Sequence, residues 1–235
     1  MEAGKRTIND IFNGNRILEI PFFQRSYVWE EEQWERLLED MYNICLTNKT
    51  YFLGSVILKQ QSTNSGPQVG DRRIVIDGQQ RLTTLNLFFK ILCLKLGQNS
   101  TFERIFKLLN NDIALIHNHI DILPFERIMN LDKLDKITEN DSISLCYNYF
   151  DKNIDIKRLD INKILAKLLF VGIDLDENED EQQIFDTINS LGVKLTTAEL
   201  LKIIFSIKII QFFMIHIGKI FLNLMMRQKN TGIQK

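Results

Sequence analysis

The chain has 235 residues, 45% of them hydrophobic and 25% charged, and its 29 Lys and Arg against 30 Asp and Glu leave a formal net charge of −1. That length suits one large domain or two small ones, and the ordinary apolar fraction excludes a disordered or collagen-like chain. The balanced charge excludes a general electrostatic pull toward nucleic acid, so any DNA binding must come from a local basic patch or from a partner.

The start, Met1-Glu2-Ala3-Gly4-Lys5-Arg6, lacks the apolar core of a signal peptide. Residues 7–13 read as a short helix with Thr7 as a candidate cap, and residues 16–20 as a strand entering a turn at Pro21. Ile20–Trp29 is dense in aromatics yet carries Gln24 and Arg25 at its centre. From Glu30 to about Asn48 an amphipathic helix puts Trp34, Leu37, Leu38, Met41, Ile44 and Cys45 on one face. Phe52–Gln60 reads as a strand, 61–70 as a polar loop, and Arg72–Ile76 as a second strand antiparallel to the first. A helix follows Arg81 and ends near Gly97. Residues 101–170 read as several helices broken by Pro124 and by polar loops, and Leu168–Leu175 returns to strand character. Asp176–Glu181 is an acidic connection and Gln182–Ser190 is helical again. Gly192 then allows a left-handed turn, and Thr196 or Thr197 can cap the next helix.

This pattern predicts an α+β fold. A core covers residues 1–100, a helical insertion 101–170, a returning core segment 171–202, and an apolar tail 203–235. The tail is long enough to span a bilayer, but Lys208, Gln211, His216 and Lys219 interrupt it, so no membrane span is expected. It reads instead as a truncated or frame-shifted end that packs on the domain or on another copy, which would make a homo-oligomer. Cys45, Cys93 and Cys146 show neither metal spacing nor even pairing, and reduced cytoplasmic thiols are expected. His117 and His119 have no third ligand at metal spacing, and no Ser/His/Asp arrangement is visible in the sequence.

The most informative stretch is Asp77-Gly78-Gln79-Gln80-Arg81-Leu82-Thr83-Thr84-Leu85, a polar turn between an apolar strand and a helix. Free N–H groups at a helix start suit a phosphate, and Arg81 can grip one with two parallel bonds. Asp77 offers a hard oxygen for Mg²⁺ or a base for water; its bland role is to cap the helix. Gln79 and Gln80 can orient a water or a ribose, or simply hold the turn. Gln24 and Arg25 would close the same pocket, unless Arg25 serves only an ion pair with Glu19 or Asp40. Tyr27 and Trp29 can stack on a base, although an aromatic pair before a helix is more often core.

Four blocks occur in order: Ile20–Trp29, Phe52–Val56, Asp77–Leu85 and Phe185–Leu195. They match Ile-Pro-x-aromatic-Gln-Arg-x-Tyr-x-Trp, Phe-Leu-Gly-Ser-hydrophobic, Asp-Gly-Gln-Gln-Arg-Leu-Thr-Thr-Leu and Phe-x-x-Ile-Asn-x-x-Gly-x-x-Leu. Together they resemble the N-terminal domain of GmrSD-type modification-dependent restriction systems, over roughly residues 5–202. The resemblance implies a ParB/sulfiredoxin-like fold, a small mixed sheet with a large helical portion. It implies a nucleotide-binding, NTP-hydrolysing module of an anti-phage system, using NTP and Mg²⁺ and acting on DNA such as modified cytosine. It also implies an HNH nuclease domain or subunit elsewhere, since this chain shows no His-His-Asn-type motif. The catalytic set it implies is Asp77, Gln79, Gln80 and Arg81, with Asp77 on the metal. The nucleotide contacts are Gln24, Arg25, Gly78, Arg81, Thr83 and Asn189; Asn189 and Lys194 are the weaker candidates, with a helix terminus and a solvated loop cation as their bland roles. The alternative is a nucleotide or DNA sensor without turnover, or a degenerate remnant of such a system.

Overall fold

The computed structural model describes residues 2–12, 15–22, 24–61 and 71–178. All of them fall within one unit, Met1–Ser190. Six strands form one sheet: β1 (Glu2–Thr7), β2 (Arg16–Glu19), β3 (Tyr51–Gln60), β4 (Asp71–Asp77), β5 (Leu115–Ile116) and β6 (Leu168–Leu175). Their order is β1-β6-β3-β4-β2-β5. The sheet is mixed: β3 is antiparallel to β4 and parallel to β6, β1 is antiparallel to β6, and β2 is parallel to both β4 and β5. With seven helices among the described residues, the fold is α+β.

The helices are α1 (Ile8–Phe12), α2 (Glu31–Thr47), α3 (Gln79–Leu96), α4 (Asn99–Phe106), α5 (Ile122–Met129), α6 (Ser142–Asn153) and α7 (Ile161–Lys167). Thr7 and Asp10 start α1 reciprocally: the Thr7 N–H donates to Asp10 Oδ2 at 2.8 Å, and the Asp10 N–H donates to Thr7 Oγ1 at 3.3 Å. In α2 the expected face is buried at Trp34, Leu37, Leu38, Met41 and Ile44, while Cys45 is only half-buried. Glu30 and Gln33 form a capping box at its start, and Asn48 ends it in the left-handed conformation.

α3 is the central helix. Its residues from Leu82 to Cys93 are buried on every side, so it lacks the one-sided stripe of a surface helix. Phe88, Phe89, Phe102, Phe106 and Phe150 meet around it with centroid separations of 5.0–5.5 Å. Burying each such ring contributes about 1.5–3 kcal/mol. Residues 101–170 supply part of this same core through Phe102, Phe125, Tyr147 and Phe150.

One local expectation needs correction, and one strand was not anticipated. Pro124 breaks no helix: it is the third residue of α5, where its missing N–H is one that a first turn leaves unpaired anyway. Residues 2–6 carry no apolar alternation, yet they form β1 because the edge of β6 offers them a backbone ladder. Among the described residues no helix is long and apolar enough to cross a membrane. The tail over 203–235 and the block Phe185–Leu195 lie outside the described residues.

Candidate functional site

Strand β4 ends at Asp77, and Gly78 turns the chain into α3 with φ 105° and ψ 0°. A Cβ at Gly78 would stand 3.0 Å from Val56 Cγ2 and 3.3 Å from the Ser55 carbonyl oxygen. Only glycine fits both the left-handed backbone and this close approach to β3. The first helical bond runs from Leu82 N–H to Gly78 O at 2.9 Å, so the N–H groups of Gln79, Gln80 and Arg81 precede the ladder. No side chain caps them, and the first turn of α3 contains no acidic residue. Both features favour an anion at this helix end.

Arg81 lies one turn into the helix. Its Nη2 donates to Asp77 Oδ2 at 2.9 Å and to Ser55 O at 2.7 Å. Ser55 Oγ donates to the same Asp77 Oδ2 at 2.7 Å, and among the described residues Oδ1 takes no hydrogen bond. The guanidinium lies over Gly54, where a Cβ would sit 3.4 Å from it. Gly54 is at a register shift in the β3–β6 ladder, so the bulge in β3 opens the space that the guanidinium fills. Arg81 Nε is buried and has no hydrogen-bond partner among the described residues. The Arg81–Asp77 side chains are 23% and 31% exposed, which leaves the pair within reach of a ligand. Asp77 therefore does not cap α3; its carboxylate is aimed at Ser55 and Arg81.

The segment Ile20–Trp29 is held against the same turn by amides. β2 leaves β4 after Glu19 pairs with Ile74, and Gln24 Nε2 then takes the Val75 and Ile76 carbonyls at 2.7 and 3.2 Å. Gln79 Nε2 donates to Arg25 O at 2.9 Å. Gln80 receives Val28 N–H at 2.9 Å and donates to Ser26 O at 3.2 Å, so both ends of its amide bind backbone. Arg25 is thus brought beside the start of α3 by its backbone, with an exposed side chain. Of its candidate carboxylates, Glu19 pairs with Arg72 and Asp40 accepts from Tyr51. Tyr27 is buried: its hydroxyl sits 2.7 Å from Thr84 Oγ1, accepts Trp34 Nε1–H at 2.7 Å and donates to Cys146 Sγ at 3.4 Å. Burial, with the Cys146 thiol beside it, pushes this phenol well above its ordinary pKa.

Thr83 faces the core. Its hydroxyl donates to Gln79 O at 2.9 Å and lies 3.1 Å from His117 Nε2. His117 Nδ1 is 3.8 Å from Asp121 Oδ2, too far for a hydrogen bond, and it has no partner among the described residues. Burial holds the His117 imidazole below its usual pKa against the opposing pull of Asp121. Asp121 in turn accepts Tyr27 N–H at 2.7 Å, and Asn118 Nδ2 donates to Gln24 O at 3.1 Å. Asp121 and Asn118 thus hold the 20–29 segment, while Thr83 on α3 meets His117 from the same stretch. No spacing in the sequence announces this contact, because Thr83 and His117 meet only through packing.

The model of the family described as GmrSD restriction endonuclease, N-terminal domain, matches residues 8–206. The chain belongs to that family. In this member three of the four sequence blocks converge on the start of α3: Gly54 and Ser55 from the second, Asp77–Arg81 from the third, and Gln24–Val28 from the first. The fourth block, with Asn189 and Lys194, lies outside the described residues. Sequence reasoning did not single out Ser55, His117, Asn118 or Asp121 as parts of this site. Ser55 and Gly54 were nonetheless legible as a Gly-Ser pair inside an apolar strand, a signal of close backbone approach. No curated protein matches the chain.

Proposed function

We propose that this domain binds a nucleoside triphosphate at the start of α3 and hydrolyses it with Mg²⁺. As a GmrSD-type N-terminal domain, the chain is a component of a restriction system. In the proposed reading it acts on DNA bearing modified cytosine, with cleavage carried out by an HNH nuclease domain or subunit. The ParB/sulfiredoxin-like comparison belongs to the same reading. One observation carries it: an uncapped, acid-free helix start stands beside an arginine whose buried Nε has no partner among the described residues.

The N–H groups of Gln79 and Gln80 and the guanidinium edge of Arg81 would receive phosphate oxygens. Asp77 Oδ1, without a hydrogen bond among the described residues, would hold Mg²⁺ or a water. Among the described residues no three His, Cys, Asp or Glu side chains gather to hold a metal alone. A single carboxylate fits Mg²⁺, which is usually bound by one or two carboxylates together with phosphates and waters. When bound, Mg²⁺ supplies neutralisation of phosphate charge. Arg25 would reach the phosphates from the facing segment, and Gln24 would hold that segment in place. Thr83 acts through Gln79, whose carbonyl it binds, and Asn189 is assigned to the nucleotide from the fourth block.

Calorimetric titration with each NTP and Mg²⁺ tests the reading. Arg81→Ala should weaken binding more than about tenfold, the loss of one charge-assisted contact of about 1.5–3 kcal/mol. Arg25→Ala should weaken it less. Unchanged affinity in a folded Arg81→Ala variant would sink the assignment. Phosphate release lost in Asp77→Asn with binding retained supports hydrolysis. Binding without release in the unmodified chain, with or without modified DNA, would favour a sensor instead.

A further inference from the structure

A groove runs between α2 and α6, remote in sequence from the α3 turn. It consists of two recesses of about 480 and 510 Å³ that share Tyr149 and Asn153 as a common wall. One recess is mainly apolar, lined by Trp29, Trp34, Leu145 and Tyr149; the other is mainly polar, with Leu38 and Tyr42 among its lining residues. Trp34 and Tyr149 stand 5.6 Å apart at 49°, so their rings form an angled wall. Leu145 is 43% exposed, although α6 could have turned a polar residue outward there. The lining spans Glu31 to Asn43 on α2, about 18 Å at 1.5 Å per residue, or a little over three helical turns.

The rim has one dominant sign. Glu30 and Glu31 border the first recess, and Glu35, Glu39 and Asp155 the second. Lys152 and Arg158 are the cations among the lining residues. Five carboxylates against two cations make this face far more acidic than the whole chain, whose net charge is −1. Burial, and after it the field of Glu35 and Glu31, raises the Tyr149 phenol above its ordinary pKa. One cation already shows how the groove receives its kind: the Arg158 guanidinium lies over the Tyr42 ring, 3.8 Å from the centroid. That contact is a cation–π attraction in a recess also lined by Glu35, Glu39 and Asp155.

We propose that the α2–α6 groove docks a cationic amphipathic helix of a partner protein, about three turns long. A large apolar side chain of that helix enters the Trp29–Leu145–Tyr149 recess. Its Arg or Lys residues, one turn apart, meet Glu31, Glu35 and Glu39. Those three glutamates stand at four-residue steps along α2, which matches the spacing of one face of a partner helix. The surrounding negative charge repels nucleic acid and anionic lipid alike.

Both tryptophans of the chain, Trp29 and Trp34, line the groove, so intrinsic fluorescence reports on it without a label. The probe is a synthetic amidated helical peptide of about four turns with Leu and Arg along one face. Titration into the full chain should give a saturable blue shift that weakens as salt is raised. Glu35→Lys with Glu39→Lys should weaken the peptide about tenfold or more, and Leu145→Asp should do likewise. All three positions are exposed, and unchanged urea midpoints would show the fold intact. Glu30 and Glu31 are left alone, because they cap and charge the start of α2. The proposal is overturned if no saturable shift occurs, or if a peptide with Glu in place of Arg gives the same shift. It is equally overturned if duplex DNA gives that shift, or if the chain self-associates without peptide and charge reversal abolishes the association. That last result would assign the groove to a second copy.

Discussion

Gly78→Ala adds one methyl group at the tightest point of the α3 turn, and two effects oppose it. The backbone at φ 105° and ψ 0° disfavours any Cβ, a strain of about 1–3 kcal/mol. The new methyl would also meet Val56 Cγ2 at 3.0 Å and Ser55 O at 3.3 Å. Val56 is 1% exposed, and the Ser55 carbonyl holds Arg81 Nη2, so neither neighbour can yield without disturbing the site. Overpacking of this kind costs about 1–3 kcal/mol. The total of about 2–6 kcal/mol is a large share of the 5–15 kcal/mol that stabilises a typical domain. Gly97→Ala is the control within the same helix. Its φ is 64°, but a Cβ there meets nothing within 4 Å, so only a backbone term of about 1–2 kcal/mol applies. Urea unfolding of both variants, at equal m-value, isolates the steric part. A Gly78→Ala variant as stable as Gly97→Ala would refute the reasoning. So would Gly78→Ala with undiminished nucleotide affinity, since a methyl group pressing on the Ser55 carbonyl would disturb the bond that holds Arg81 Nη2.

Gln80→Leu keeps side-chain volume but removes both bonds to the 26–28 backbone and leaves Val28 N–H unpaired. It should destabilise by about 2–4 kcal/mol and speed hydrogen exchange at the Val28 amide; unchanged exchange there would rule out the clamp. His117 makes stability depend on pH. Burial lowers its folded pKa, so the unfolded chain binds the proton more readily, and stability should fall as pH drops below about 6.5. The slope from this residue is at most about 1.4 kcal/mol per pH unit. Urea midpoints measured from pH 7.5 to 5 should flatten in His117→Gln, and an equal slope in that variant would assign the dependence elsewhere.

The parts of this fold that could be read in advance are those whose signal is local. α2 carries a one-sided apolar stripe, and its ends fell within a residue or so of the expected bounds. β3, β4 and β6 are apolar runs bounded by polar turns, and their antiparallel or returning character followed from that. β1 was hidden because Glu2–Thr7 is an edge strand made of small and charged residues, held by ladder bonds rather than by its own side chains. β5 has two residues, too few for any period. At the candidate site, glycine and arginine spacing indicated Gly78 and Arg81. The amides of Gln79 and Gln80 were readable only as polar groups near a turn. That they grip the backbone of Arg25–Val28 depends on a contact between segments about fifty residues apart, which no local pattern encodes.

The position of β6 sets an order of events during synthesis. β6 lies between β1 and β3, with Glu2 opposite Asp174 on one side and Tyr51 opposite Leu168 on the other. A ribosome delivers about 5–20 residues per second, so on the order of ten seconds separate the emergence of β3 from that of β6. Throughout that interval the edge of β3 that β6 will cover shows unpaired N–H and C=O groups along a strand whose centre, Val56-Ile57-Leu58, is apolar. Nascent chains on neighbouring ribosomes can pair through that edge before the native partner exists. The helices of residues 99–167, which form from local contacts, are made inside this interval and can shield part of it. The hazardous moment for this protein therefore comes while it is still being translated, between Gln60 and Leu168.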